Sequence, residues 1–243
     1  MSKGLFLDSG AYSAWSKGIS IDINKYMRFI SDNSEIITHY ATLDSIGDPI
    51  QTLKNTSIMD SNGLSPLPVF HYNEDIQYLK DMLDKYEYIC LGGMVPISTP
   101  QLTLWLDDLW DRYLTHKDGS PRVRVHGFGQ TSMRLLKRYP WYSADSTSWV
   151  RPGAFGSILC DLGDYSKVSV TYQSGDSSDS YYRMKPHDKK VFLEWITDKG
   201  YKIAELQASY KPRHQFNIEF IYNLCSDLDY SNMKYIQTQL SMF

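Results

Sequence analysis

The stretch Thr38–Pro49, THYATLDSIGDP, contains the pattern from which the fold is read. Thr38 to Leu43 is rich in β-branched and aromatic residues and reads as a strand, ending at Asp44. Asp48-Pro49 then opens a helix, with Asp48 at the N-cap and Pro49 at the first helical position, running to a stop at Gly63. The same unit recurs on both sides. Gly4 to Leu7 is a strand ending at Asp8, and Asp22 caps a helix with Ile23, Met27 and Ile30 at helical spacing. Leu67 to Phe70 ends at His71, Tyr88 to Leu91 at Gly92-Gly93, Arg122 to Val125 at His126, and Tyr142 to Ala144 at Asp145. Helices are expected over 74–85, 101–113 and 132–138 between them.

Strands alternating with helices predict parallel strands joined by crossover helices, an α/β fold. A (β/α)8 barrel and an open doubly wound sheet both satisfy that alternation. The polar residue at every strand end favours the barrel, which gathers all strand ends on one rim, whereas an open sheet binds its ligand at one switch point. A single barrel domain over 1–243 is therefore expected, its closure incomplete or irregular. After about residue 155 the pattern weakens: strands are expected near 156–162 and 167–173, a Ser/Asp-rich loop at 174–183, and helices at 187–198, 215–226 and 231–240.

Composition bounds the function. The chain has 243 residues, 42% hydrophobic and 14% aromatic, enough for a substantial core and unlike a disordered segment. No uncharged apolar run approaches the roughly 20 residues of a membrane-spanning helix. MSKGLFLDSG reaches an acid at Asp8 and does not read as a signal peptide. Cys90, Cys160 and Cys225 are widely spaced and form neither a disulfide framework nor a CxxC knuckle, so a reduced, cytoplasmic protein is expected. The net charge of −3 is uneven: residues 1–121 carry 9 basic against 16 acidic side chains, residues 122–243 carry 16 against 12. The basic second half suits a polyanion or an ordinary solvated surface.

Asp8 and Asp145 are the candidate catalytic pair, because two carboxylates on one rim can divide displacement at a sugar carbon between nucleophile and acid or base. Asp44 can accept a pair of N–H donors such as guanine presents. Gly92 and Gly93 let a backbone approach a flat ligand, and Tyr12 offers a stacking face. His71 and His126 with the carboxylates could be read as metal ligands, but the spacing is not that of a ligand set. Ser9 does not lie in a nucleophile elbow, and no dinucleotide loop is present. No metal or cofactor is expected.

Together LDSGAYSAW (7–15), YATLDSIGDP (40–49), PVFHYNED (68–75), LGGMV (91–95), VHGFGQTS (125–132) and YPWYSADSTSW (139–149) resemble the tRNA-guanine transglycosylase superfamily, most closely its short phage-type members associated with 7-deazaguanine in DNA. The resemblance implies a barrel enzyme that exchanges guanine in DNA for a 7-deazaguanine such as preQ0. It implies Asp145 as nucleophile, Asp8 as base, and Tyr12, Asp44, His71, Gly92, Gly93, Met94 and His126 around the purine. Arg151 is then a phosphate contact, with Arg124 and Arg138 from the basic half beside it. The CxCxxC…His zinc site of the tRNA enzymes is missing, as is the long GGLAVGE form, which ranks DNA ahead of tRNA. A tRNA enzyme, a catalytically idle nucleic-acid-binding barrel and a metal-dependent hydrolase are the rival expectations.

Overall fold

Three helices of the first half start at an aspartate cap. In the computed structural model, which describes residues 4–130, 132–146, 149–163, 165–172, 179–227 and 233–235, the Asp22 side chain accepts from the Asn24 and Lys25 amides and Asp48 from Gln51. Each satisfies N–H groups that a helix end leaves without partners. Asp75 does the same for Gln77. The elements that follow are β1 (Leu5–Leu7), α1 (Ala11–Ser16), α2 (Ile23–Asp32), β2 (Ile37–Tyr40), α3 (Pro49–Ser61), β3 (Val69–His71), α4 (Ile76–Lys85), β4 (Tyr88–Gly92), α5 (Thr99–Leu109), β5 (Arg124–Gly127), α6 (Met133–Arg138) and β6 (Ser143–Ala144). A π-helical turn, Trp110–Leu114, extends α5.

All six strands are parallel and lie in chain order. β1 pairs with β2 and β3-β4-β5-β6 form a second segment, with the Ala41–Leu67 bridge joining the two. The bridge is made by two hydrogen bonds, Thr42 N–H to the Leu67 carbonyl and Leu67 N–H to the Tyr40 carbonyl, both 2.8 Å. No reversal of strand order occurs within β1–β6, so the switch point of a doubly wound sheet is missing there. The sheet also curls. Phe6 on β1 stacks on His126 on β5 at 4.1 Å between centroids, whereas a flat sheet would hold those strands about 19 Å apart.

Side-chain alternation divides the core into two layers. Phe70, Ile89, Leu91 and Val125 pack outward against Leu79, Leu102 and Leu106 of the helices. Ala41, Val69 and Cys90 face the concave side with Phe6 and Phe128. Trp110, Tyr139 and Trp141 are fully buried on the outer layer.

The α/β class with parallel strands is as expected; among the described residues no strand pairing joins β6 to β1. The chain divides into two compact units, Met1–Asp145 with Tyr230–Phe243, and Ser146–Asp229. The second unit contains α7 (Val150–Ala154), β7 (Ser157–Leu162), β8 (Tyr165–Ser169), α8 (Pro186–Asp198), α9 (Ile203–Ala208) and α10 (Tyr210–Asp227). β7 and β8 pair antiparallel, so they do not extend the parallel pattern. The buried Asn217 amide accepts from Leu159 N–H and donates to the Trp149 carbonyl, tying α10 to this hairpin. Of the helix expected at 231–240 only 233–235 is described, and it is not helical; residues 174–178 of the Ser/Asp-rich loop lie outside the described residues. Among the described residues no helix is long and apolar enough to cross a membrane.

Candidate active site

Short strands bring polar residues to the C-terminal edge of the curled sheet. The Ser9 hydroxyl, after β1, donates to Asp44 Oδ1 at 2.6 Å and accepts from the Ala11 amide, which opens α1. His71, the last residue of β3, reaches Asp44 Oδ2 through Nε2 at 2.8 Å. Its Nδ1 lies 3.0 Å from Glu74 Oε1, and its backbone N–H donates to Glu74 Oε2 at 2.9 Å. Burial alone would lower the His71 pKa, but the hydrogen bonds and charges of Asp44 and Glu74 outweigh it and raise it to about 9. Gly92 makes room for this ring: a Cβ there would sit 2.9 Å from His71 Cδ2. Gly93 is left-handed, φ +69°, a conformation that favours glycine.

Asp8 and Asp145 follow the first and sixth strands. Asp8 accepts from the Gly10 amide at 3.2 Å. Desolvation raises its carboxyl, the Gly10 bond opposes this, and the charge of Asp44 adds to the rise. Asp145 Oδ1 accepts from the Gly129 amide at 2.6 Å. It too is raised, first by desolvation and further by the charge of Asp8. Cys90 on β4 is fully buried, and its thiol is pushed well up by burial and then by Asp44, Asp8 and Asp145. Three carboxylates from three strand ends therefore act on one point of the concave face. Two of them resist ionisation, a pattern that clusters at reactive sites.

His126 lies deeper. One ring face is covered by Phe6 and its edge by Phe128. Nδ1 meets Ser143 Oγ at 2.7 Å, and Ser143 meets the Tyr88 hydroxyl at 2.6 Å. Burial lowers its pKa to about 4. Nε2 is a buried ring nitrogen with no hydrogen-bond partner among the described residues.

The remaining expected site residues are dispersed. Tyr12 on α1 is 48% exposed, with Trp15 6.0 Å away between ring centroids. A cleft of about 410 Å³ has Asp44, Leu43, Ile46 and Trp15 in its wall; Tyr12 is not part of that wall. Met94 is buried, with the Gln130 amide donating to its sulfur at 3.7 Å. Two of the expected phosphate contacts have partners within the protein. Arg124 begins β5, at the end opposite the carboxylates, with its guanidinium over Tyr88 and Tyr142. Arg138 is spent on a two-pronged contact with Asp107, both bonds 2.8 Å, which Tyr139 and Tyr235 also reach. Arg151 lies exposed on α7 in the second unit.

Sequence reasoning missed Glu74, the Ser9–Asp44 bond, Phe6 and Trp15 as parts of this region. Glu74 had a local signal, an acid three residues beyond a strand-end histidine. Among the described residues no group of three or more His, Cys, Asp or Glu side chains is placed to hold a metal ion. No protein-family model and no curated protein matches the chain.

Proposed function

We propose that β1–β6 are the greater part of a (β/α) barrel whose C-terminal rim exchanges a purine base in DNA, replacing guanine with a 7-deazaguanine such as preQ0. The observation that carries this is the pairing of Asp8 and Asp145: two carboxyls from the outermost parallel strands, both raised, one acting on the other. Asp145 attacks C1′ of a guanosine unit and guanine leaves with the C1′–N9 electron pair, giving a covalent glycosyl-enzyme. Asp8 takes the N9 proton of the incoming base, which attacks C1′ and releases Asp145. Two displacements retain configuration, as in retaining glycosidases. The Gly129 amide holds the nucleophile in place, and Asp44 accepts the donor edge of the purine, with Tyr12 and Trp15 beside it. The target base must leave its stack, at a cost of about a few kcal/mol.

DNA is preferred over tRNA because the resemblance lacks the zinc-site spacing of the tRNA enzymes, and the reaction is placed in the cytoplasm. The test incubates the protein with guanine-containing DNA or tRNA and preQ0, followed by nucleoside mass spectrometry. Incorporation into DNA that is lost in Asp145→Asn supports the proposal. Labelling of tRNA alone, or undiminished activity in that variant, refutes it. A protein that binds DNA with neither incorporation nor a covalent adduct would be the idle binding barrel.

A further inference from the structure

Both ring nitrogens of His71 face carboxylate oxygens, Asp44 on one side and Glu74 on the other. Carboxylates only accept, so both nitrogens must donate, and the ring is an imidazolium. Glu74 grips the same residue a second time through the His71 backbone amide. The ring is therefore fixed in position, rotation and protonation. At the far side of Asp44, Ser9 donates to the other oxygen, and its own oxygen is occupied by the Ala11 amide. From β4 the ring meets Gly92, which carries no charge. The facing charged groups are thus Asp44 from the loop after β2 and Glu74 from the β3–α4 turn, with side chains 10% and 9% exposed.

We propose that Glu74 is a positioning residue: through His71 it clamps the Asp44 carboxylate in one orientation, so that the lone pairs left by Ser9 and His71 form a fixed acceptor edge for a purine's donor pair. The inference rests on the purine reading of the site and adds to it a residue that touches no substrate. A carboxylate held at both oxygens cannot swing to suit another donor pattern, so the clamp makes Asp44 a selective acceptor. Glu74→Gln keeps the shape of the side chain and removes the charge that favours imidazolium. His71→Gln keeps a donor toward Asp44 but does not titrate.

The experiment follows the His71 ring by side-chain nitrogen NMR on the full chain, and guanine and preQ0 binding by calorimetry from pH 6.5 to 9.5. In the wild type His71 stays protonated to about pH 9. In Glu74→Gln its midpoint falls to a pH lower by about 1 or more, and guanine binds about tenfold more weakly at pH 8. In His71→Gln the protein contributes no inflection; ionisation of the base itself is common to all three chains and cancels. A wild-type His71 that titrates in the ordinary histidine range, or a midpoint that Glu74→Gln leaves in place, overturns the clamp. If His71 shifts as expected but neither base binds any of the three chains, the ligand assigned to the clamp and the purine reading fall together, while the hydrogen-bonded chain stands.

Discussion

Phe6 and His126 stack face to face, their planes 13° from parallel, although four strand spacings separate them along the sheet. That contact is possible only because the sheet curls, and it places an aromatic floor beneath the strand-end carboxylates. The floor keeps His126 dry and neutral, with Nδ1 committed to Ser143. Packing and electrostatics are coupled here: the apolar ring that helps close the curve also sets the charge of the histidine it covers.

Phe6→Ala separates these effects. Truncating a packed Phe costs about 3–5 kcal/mol when fully buried, and Phe6 is partly exposed, so a loss of roughly 2–3 kcal/mol is expected. The His126 midpoint should climb from about 4 toward the ordinary value of 6.5 as water reaches its ring. Denaturant titration and histidine NMR read the two together. Loss of stability with an unmoved midpoint would mean that burial of His126 comes from elsewhere.

Stability should peak between the two histidines. His71 is raised from 6.5 to about 9 in the folded state, so its contribution is complete below pH 6.5 and is lost as pH rises through 9. His126 is lowered from 6.5 to about 4; the unfolded chain takes up its proton first, and stability falls as pH drops from 6.5 toward 4. Each tenfold difference in proton affinity between the folded and unfolded chains is worth about 1.4 kcal/mol when fully realised. Unfolding midpoints measured across pH should fall on both sides, and His71→Gln should flatten only the alkaline limb.

The strand ends were legible because they rest on local signals: an apolar run, then a polar residue, then a capped helix. His71 closes β3 and Asp145 follows β6 as that pattern puts them, whereas β2 ends at Tyr40, with Ala41 bridged to Leu67, and Asp44 lies in the loop beyond. Partnerships were not legible. Ser9 and Asp44 are 35 residues apart and His71 lies 27 beyond Asp44, and which side chains meet depends on the curl of the sheet. The same limit explains Arg138, whose charge in a basic stretch looked available until Asp107, from the preceding helix, claimed it. In the second unit β7 and β8 lie close to the strands expected there, but an apolar run does not say which neighbour it pairs with, and their antiparallel pairing was not legible.

Asp8 and Asp145 are costly to the fold. A carboxyl whose folded pKa is raised penalises the native state as pH climbs above the ordinary 3.8. Asp145→Asn retains an acceptor for the Gly129 amide and removes the repulsion with Asp8, so its unfolding midpoint at neutral pH should exceed the wild type's. The difference should vanish below about pH 3.8, where both forms are neutral. Base exchange should be abolished in the same variant. A destabilised Asp145→Asn would mean that the carboxylate serves the fold, as a loop organiser would.

Asp44→Asn tests selectivity at its source. The amide can turn its oxygen to His71 and its NH2 toward Ser9, whose hydroxyl proton can rotate away, so the local structure should survive with little loss of stability. What changes is the edge offered to a ligand: an acceptor is replaced by a donor. Guanine presents N1–H and N2–H2 side by side, and one of them then meets another N–H group. Losing a charged hydrogen bond costs about 1.5–3 kcal/mol, so guanine and preQ0 should bind roughly 10- to 150-fold more weakly. Adenine presents an acceptor at N1 and should lose little, which narrows the preference between the two purines. Tyr12→Leu, by contrast, should weaken both alike, since stacking does not read the edge. Calorimetry with the three bases distinguishes these outcomes. If Asp44→Asn bound guanine as the wild type does, the hydrogen bonds from Ser9 and His71 would serve only to pin the loop after β2.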